Sequence, residues 1–284
     1  KLCDLYGDKD EAAFVRAEKQ AMIEAVEKHG WDGEWFLRAY DAFGHKVGSD
    51  ECKEGKIYIE PQGMCVMAGI GKDNGMAQKA LDATQKYLEF EHGIVLLYPA
   101  YTEYHLELGE VSSYPPGYKE NGSVFCHNNP WIIIGETVLG HGDRAFDLYK
   151  RIAPAYIKDQ KLHRTEPYVY AQTINGKESY LPGEAKNSWL TGTAAWTFVN
   201  ISQYILGVYP THNGLSINPC VPKGFGDFTL TRAFREGVYN ITVKNPQNVE
   251  KGVVSLTVDG VKVDGCVIPY VAGKTEYNVI VTMG

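Results

Sequence analysis

Two adjacent rows of apolar residues run through residues 10–28 at the three- to four-residue spacing of a helix. One row consists of Phe14, Ala17, Ala21 and Ala25, and the row beside it of Val15, Met22 and Val26. Such a stripe predicts an amphipathic helix that packs along one side. The sequence starts inside this pattern without an initiator Met, so we expect further residues upstream or in another chain.

Helical periodicity returns four more times before residue 206. The predicted helices are residues 75–91, 130–139, 142–153 and 188–206, separated by loops rich in Gly and Pro. The segment 93–129 is too long and too polar for a simple connection, so it predicts a functional surface. A barrel of helix pairs whose loops gather at one end would account for such a surface.

The pattern changes to short alternating segments after residue 214. Residues 228–231, 239–243 and 253–258 alternate apolar with polar side chains, and turn signals such as Asp259-Gly260 separate them. This texture predicts a small β-sandwich or jelly roll. We therefore expect a helical domain over residues 1–213 and a β domain over residues 214–284.

Composition narrows the class of protein. With 284 residues and 44% hydrophobic content, the chain can bury one substantial core, or form one large domain plus a small one. Its formal charge of -7 argues against nucleic acid as a partner, and no apolar run reaches the roughly 20 residues of a membrane span. The six cysteines have no zinc-type spacing, so we expect reduced thiols, no metal site and a cytoplasmic location.

The first candidate cluster lies in residues 30–40, where Trp31 and Trp35 bracket two acidic residues. Paired carboxylates beside aromatic rings suit glycoside chemistry, in which one carboxyl acts as an acid. In the alternative interpretation, the two tryptophans pack a helix end while Asp32 or Glu34 pairs with Arg38.

The second cluster is the loop of residues 109–131, which combines two carboxylates, a Lys, a His and three Asn. Pro115 and Pro116 stiffen this loop, and a stiff loop presents hydrogen-bonding groups at low entropic cost. Such groups suit recognition of hydroxyls or phosphate. The alternative is a solvated loop in which His127 is structural.

The third cluster, residues 184–196, places Thr hydroxyls and backbone N–H groups at a predicted helix start, where an anion such as phosphate is favoured. The alternative is ordinary capping by Ser188 or Thr191, with Gly192 for close packing. Gln172 lies among aromatic residues, where its amide can bind a sugar hydroxyl or its own loop.

Several long segments together resemble cellobiose phosphorylase and its chitobiose-cleaving relatives. They are WDGEWFLRAYD (31–41), GKIYIEPQG (55–63), YPPGYK (114–119), FCHNN (125–129) and KNSWLTGTAAW (186–196). The similarity extends through almost the whole chain, in the same order. It implies a mainly α fold with a β tail, comprising part of an (α/α)6 barrel and then a C-terminal jelly roll.

The resemblance implies inverting phosphorolysis of a β-linked disaccharide. Cellobiose and inorganic phosphate would give α-glucose 1-phosphate and glucose, with no metal or organic cofactor. The implied phosphate-binding residues are His127, Thr191 and Gly192, and the implied sugar-binding residues are Glu110, Tyr114, Lys119 and Gln172. The resemblance also implies a cytoplasmic homodimer.

One expected residue is absent from this sequence. The family places its catalytic Asp in a Trp-Asn-Asp motif, which does not occur here, so we expect that Asp upstream of Lys1, in the N-terminal portion of the enzyme. Asp32 is a weak substitute. Two alternatives remain open: an inverting glycoside hydrolase, whose rate would not depend on phosphate, and an inactive carbohydrate-binding fragment.

Overall fold

The computed structural model describes residues 2–284, and its helices lie before residue 206. The helices are α1 (Leu2–Tyr6), α2 (Lys9–His29), α3 (Ile59–Met67), α4 (Met76–Tyr87), α5 (Asn129–Leu139), α6 (Gly142–Ile152) and α7 (Thr193–Val199), with short 3₁₀ turns at Gly109–Ser112 and Pro154–Tyr156. A π-helix over Asn200–Ile205 continues α7. The helices predicted for residues 10–28, 75–91, 130–139 and 142–153 are present as α2, α4, α5 and α6.

The strands are short before residue 206 and longer after it. They are β1 (Ala39–Tyr40), β2 (Lys46–Val47), β3 (Ile57–Tyr58), β4 (Glu89–Phe90), β5 (Gly93–Ile94), β6 (Leu97–Tyr98), β7 (Val124–Phe125), β8 (Ala171–Ile174), β9 (Ala185–Ser188), β10 (Val208–Pro210), β11 (Gly214–Ile217), β12 (Phe228–Phe234), β13 (Gly237–Lys244), β14 (Ser255–Val258), β15 (Val261–Lys262), β16 (Val267–Pro269) and β17 (Glu276–Thr282).

The largest sheet has the strand order β12-β13-β17-β14-β15, and its β13–β17 pair is parallel. The strands predicted near residues 228–231, 239–243 and 253–258 are confirmed as β12, β13 and β14. Alternation explains the pairing, because every second residue of β13 and β17 is buried. The rings of Tyr239 and Tyr277 stack in this core with centroids 4.1 Å apart.

The predicted helix over residues 188–206 begins later than expected. Residues Ala185–Ser188 form β9, which pairs with β8, and the helix starts only at Thr193. Positive φ angles at Asn187 (58°) and Trp189 (67°) turn the chain between strand and helix. Backbone hydrogen bonds between β9 and β8 therefore override the helical pattern at the start of this segment.

Helix α2 is present, but its predicted packing is not seen. Within residues 2–284, Ala12 is the one buried residue of this helix, and the side chains of Phe14 and Met22 are 58% and 69% exposed. The stripe is thus a surface in the described chain. The (α/α)6 barrel, the jelly roll and the domain boundary after residue 213 stay predictions; the sheet β10-β11-β16 includes residues on both sides of that position.

Helix α3 packs against α5 and holds the 31–41 motif through hydrogen bonds. A Cβ at Gly63 would lie 2.8 Å from the Cβ of Trp131, so glycine permits this close crossing. The buried Gln62 side chain accepts from Phe36 N at 2.8 Å and donates to the carbonyls of Phe36 (2.8 Å) and Tyr58 (2.9 Å). No helix within residues 2–284 is long and apolar enough to cross a membrane.

Candidate active site

A cleft of about 440 Å³ opens between the 31–41 motif, the start of α3 and the loop before α5. We call it the His127 cleft. Its polar lining residues are Arg38, Asp41, Glu60, Glu107, Glu120, His127 and Asn128, and its apolar and aromatic lining includes Tyr58, Leu96, Leu108 and Phe125. A concave site that mixes rings with a few polar groups suits a small polar ligand.

The sheet β7-β8-β9 gathers three of the predicted site segments. His127 lies two residues after the end of β7, and the N–H of the intervening Cys126 donates to the carbonyl oxygen of Gln172 in β8 at 2.9 Å. Strand β9 pairs with β8 and leads into the turn that carries Thr191. The segments that carry His127, Gln172 and Thr191 therefore meet at the same end of this sheet, although they lie about 45–65 positions apart in the sequence.

His127 lies between two aromatic side chains at the cleft. Its ring lies between Phe125 and Trp131, with centroid distances of 5.0 and 5.6 Å. Burial lowers the pKa of His127, which favours the neutral ring. Its Nδ1 and the Nε1 of Trp131 are buried without a hydrogen-bond partner anywhere in the described chain.

Thr191 and Gly192 adjoin this region through aromatic rings but do not line the cleft. Trp131 packs edge-on against Trp196 at 5.9 Å, and a Cβ at Gly192 would lie 3.6 Å from Trp196. The expected capping by Ser188 or Thr191 is wrong: Gly192 is the N-cap of α7 and no side chain caps it within residues 2–284. Instead, the Thr191 hydroxyl lies 2.7 Å from that of Thr193.

None of the four predicted sugar-binding residues is among the described residues that line the His127 cleft. Lys119 Nζ donates to Gln172 Oε1 at 2.8 Å, which joins two of them directly. Tyr114 lies near the carboxylates of Glu120 and Glu110, and mainly the Glu120 charge raises the pKa of this phenol. Glu110 itself is exposed on the turn Gly109–Ser112.

Asp32 and its neighbours have structural partners. The Asp32 carboxylate accepts from Asp50 N at 2.7 Å, Ser49 Oγ at 3.0 Å and Lys46 Nζ at 3.3 Å, and it does not line the His127 cleft. The indole of Trp35 is buried. The expected pairing of Arg38 with Asp32 or Glu34 is wrong, because Arg38 faces Glu60 at 3.7 Å.

Among the cleft residues that were not predicted as site residues are Arg38, Glu60, Glu120 and Asn128. Oε2 of both glutamates and Oδ1 of Asn128 are buried, and they find no hydrogen-bond partner among residues 2–284. All four lie in or beside the motifs that carry the family resemblance. The signal was therefore present, but burial of these side chains depends on tertiary contacts.

The free energy of unfolding is expected to fall as pH drops below about 6.5. Burial lowers the pKa of His127 and of His163, whereas both have the ordinary value near 6.5 when unfolded. Below that pH the unfolded chain takes up protons that the folded chain does not, which favours unfolding. Urea denaturation at pH 7.5 and 5.5 measures this loss; a double His→Gln variant that loses as much stability as the wild type would refute it.

Comparison with known proteins identifies the family. A family model described as "Glycosyl hydrolase 94 superfamily, catalytic domain" matches residues 1–207. The match covers well over half of the sequence, and the chain therefore belongs to the glycosyl hydrolase 94 superfamily. This agrees with the resemblance carried by the motifs.

Two curated relatives are similar along nearly the whole chain. Solabiose phosphorylase from Paenibacillus borealis is 36% identical over 92% of this chain and 34% of its own length. N,N'-diacetylchitobiose phosphorylase from Vibrio proteolyticus is 36% identical over 97% of this chain and 35% of its own length. The chain thus spans about a third of the length of these relatives.

A solved structure gives a more distant likeness. The structure of a gh92 family glycosyl hydrolase covers 99% of this chain and 37% of its own, with a TM-score of 0.40 and 14% identity. That similarity is too low to support an argument about fold or function.

Proposed function

We propose that this chain forms the phosphate- and sugar-binding part of an enzyme that cleaves a β-linked disaccharide with inorganic phosphate. Two buried nitrogens, Nδ1 of His127 and Nε1 of Trp131, carry the proposal. They have no hydrogen-bond partner in the described chain, and His127 lines a cleft that contains polar and aromatic side chains. An unpaired buried polar group costs about 1–3 kcal/mol, which an oxyanion ligand relieves. The names of both relatives, each a disaccharide phosphorylase, support this class of reaction.

The proposed chemistry is a single displacement. A phosphate oxygen, held by His127 and by the Thr191–Gly192 turn, attacks the anomeric carbon from the face opposite the glycosidic oxygen. The new C–O bond forms as the glycosidic bond breaks, and the departing oxygen takes a proton from an acid. A β-linkage therefore yields an α-sugar 1-phosphate. Fixed donors hold the anion in line at high effective concentration, so water competes poorly.

The described residues are assigned binding and orientation rather than proton donation. Asp32 already accepts three hydrogen bonds away from the cleft, so it is poorly placed to protonate a leaving group. We propose that the acid is an Asp outside residues 1–284, as the resemblance implies. Phosphate is the proposed co-substrate, and no metal or organic cofactor enters the scheme.

Cellobiose is the proposed substrate, and a cytoplasmic homodimer the proposed form of the enzyme. The motif resemblance supports the substrate, the dimer and the cytoplasmic location, and the cysteine spacing also supports the location. Light scattering tests the oligomeric state, and cell fractionation tests the location. A monomeric mass or a secreted protein would contradict the respective proposal.

The experiment that tests the function measures cleavage of cellobiose and N,N'-diacetylchitobiose with and without phosphate, both on a preparation that also contains the proposed catalytic Asp and on the 284-residue chain alone, each of recorded intact mass. From the first preparation we expect sugar 1-phosphate to appear only when phosphate is present. Equal rates of sugar release with and without phosphate would favour the hydrolase, for which the cleft carboxylates Glu60 and Glu120 are candidate water-activating groups. If turnover is absent but phosphate and sugar bind, the chain is a binding portion only.

A further inference from the structure

The side-chain amide of Gln172, on strand β8, is held in one orientation. Nζ of Lys119 lies 2.8 Å from the amide oxygen Oε1. An ammonium group carries donors and no acceptor, so the Gln172 atom that faces it is the oxygen and not the nitrogen. Nδ2 of Asn187 lies 3.4 Å from the same oxygen and makes a second, longer contact. The amide nitrogen Nε2 therefore points away from the Lys119 ammonium.

Nε2 of Gln172 is a donor that the described chain does not use. No described residue accepts a hydrogen bond from it, and it is not one of the buried side-chain nitrogens that lack a partner. Since this atom is neither paired nor enclosed, its N–H groups reach accessible space. Gln172 lies in the part of the sheet that carries His127, because its carbonyl oxygen accepts from Cys126 N at 2.9 Å.

The backbone around Lys119 is held in place by a buried asparagine. The side chain of Asn121 accepts from Tyr101 N at 2.8 Å and donates to the carbonyl oxygens of Tyr101 (2.8 Å) and Tyr114 (2.7 Å). Lys119 itself has a φ angle of 49°, a left-handed conformation that persists only where the surrounding structure holds it. The lysine side chain thus starts from a fixed point, as a positioning role requires.

The Lys119 ammonium is committed to Gln172. Within residues 2–284 its one hydrogen bond goes to that amide, and no carboxylate forms an ion pair with it. Lys186 differs, because its Nζ pairs with Glu184 at 2.7 Å. A hydrogen bond from a charged donor is roughly twice as strong as one between neutral groups. Lys119 therefore holds Oε1 more firmly than a neutral side chain would.

We propose that Lys119 is a positioning residue, whose hydrogen bond to Oε1 holds the Gln172 amide so that Nε2 donates to an oxygen of the bound sugar. The inference rests on the proposed function for the identity of the ligand. It differs from the role that the resemblance implies for Lys119, in which the ammonium itself contacts the sugar. Without the lysine, the amide can turn over and present its oxygen, which cannot donate.

A double-mutant cycle on sugar affinity separates these two roles. Lys119→Met and Gln172→Met remove the hydrogen-bonding groups at nearly constant side-chain length, and they are compared singly and together. Isothermal titration without phosphate measures the affinity for whichever of cellobiose and N,N'-diacetylchitobiose binds more tightly, on a preparation that also contains the proposed catalytic Asp. We expect each single variant to bind the sugar about 3- to 10-fold more weakly. The double variant should lose no more than Gln172→Met alone, because Lys119 acts through that amide.

Two control variants distinguish positioning from a general effect of charge or structure. Lys119→Arg keeps a charged donor and should retain most of the sugar affinity that methionine loses. Lys262→Met, on the exposed strand β15, removes the same charge and should leave the sugar affinity unchanged. The melting temperature of Lys119→Met should stay close to that of the unmutated protein.

Losses that multiply in the double variant would show that Lys119 binds the sugar directly, and would overturn the inference. An unchanged affinity in either single variant would overturn it as well, and so would the absence of sugar binding by the unmutated preparation. A lower melting temperature in Lys119→Met, without recovery in Lys119→Arg, would mark a structural role instead. The proposed function fails separately, if sugar binds with the expected coupling but its cleavage does not depend on phosphate.

Discussion

Replacing His127 with alanine is expected to weaken phosphate binding about 10- to 100-fold while changing sugar binding much less. The substitution removes a buried nitrogen that is unpaired in the described chain, and a hydrogen bond to a charged group contributes about 1.5–3 kcal/mol. Isothermal titration with phosphate and with cellobiose measures both affinities. In an active preparation, the same substitution should raise the KM for phosphate far more than the KM for the disaccharide.

Two variants control for loss of structure. His163→Gln alters another buried histidine, which lies outside the His127 cleft, and should leave phosphate affinity unchanged. His127→Gln keeps a side-chain donor and should retain part of the affinity that alanine loses. Equal losses of phosphate and sugar affinity in His127→Ala would remove this residue from the phosphate site.

Gln62→Leu is expected to lower the free energy of unfolding by about 3 kcal/mol or more. The Gln62 side chain is fully buried and makes three hydrogen bonds, one from the N–H of Phe36 and two to carbonyls. Leucine has a similar volume but leaves these backbone groups unpaired, at about 1–3 kcal/mol each. Urea denaturation followed by tryptophan fluorescence measures the effect.

The matched control is Gln78→Leu on α4, where the glutamine is exposed and contacts Asp82. We expect this change to alter the free energy of unfolding by less than about 0.5 kcal/mol. A Gln62→Leu protein as stable as the wild type would show that α3 does not hold the 31–41 motif in place.

Helices α2, α4, α5 and α6 were predictable from their periodicity, whereas α3 was not. Helix α5 has Pro130 in its first turn and Gly140 as its C-cap, so its bounds could be read from the sequence. Helix α3 was missed because Pro61 and Gly63 resemble a loop. In the fold, Pro61 occupies the first turn, where no intrahelical N–H bond is lost, and Gly63 makes room for Trp131.

The site could be predicted only as far as the motifs pointed to it. Residues Lys119 and Gln172 were paired in function by the resemblance, and the structure shows them in direct contact at 2.8 Å. The buried Oε2 atoms of Glu60 and Glu120, which have no partner among the described residues, could not be foreseen, because burial of this kind depends on tertiary packing. Helix α2 is the opposite case. Its pattern predicts the helix correctly, but its apolar stripe is exposed in the described chain, and the pattern does not say what would pack on it.

The most direct test of the central claim is the NMR spectrum of the first product that is formed from cellobiose and phosphate by an active preparation containing the proposed catalytic Asp as well as this chain. The account predicts a sugar 1-phosphate in the α configuration, released together with an equal amount of glucose and absent when phosphate is omitted. Free glucose alone, formed at the same rate with and without phosphate, or a β-sugar 1-phosphate, would contradict it.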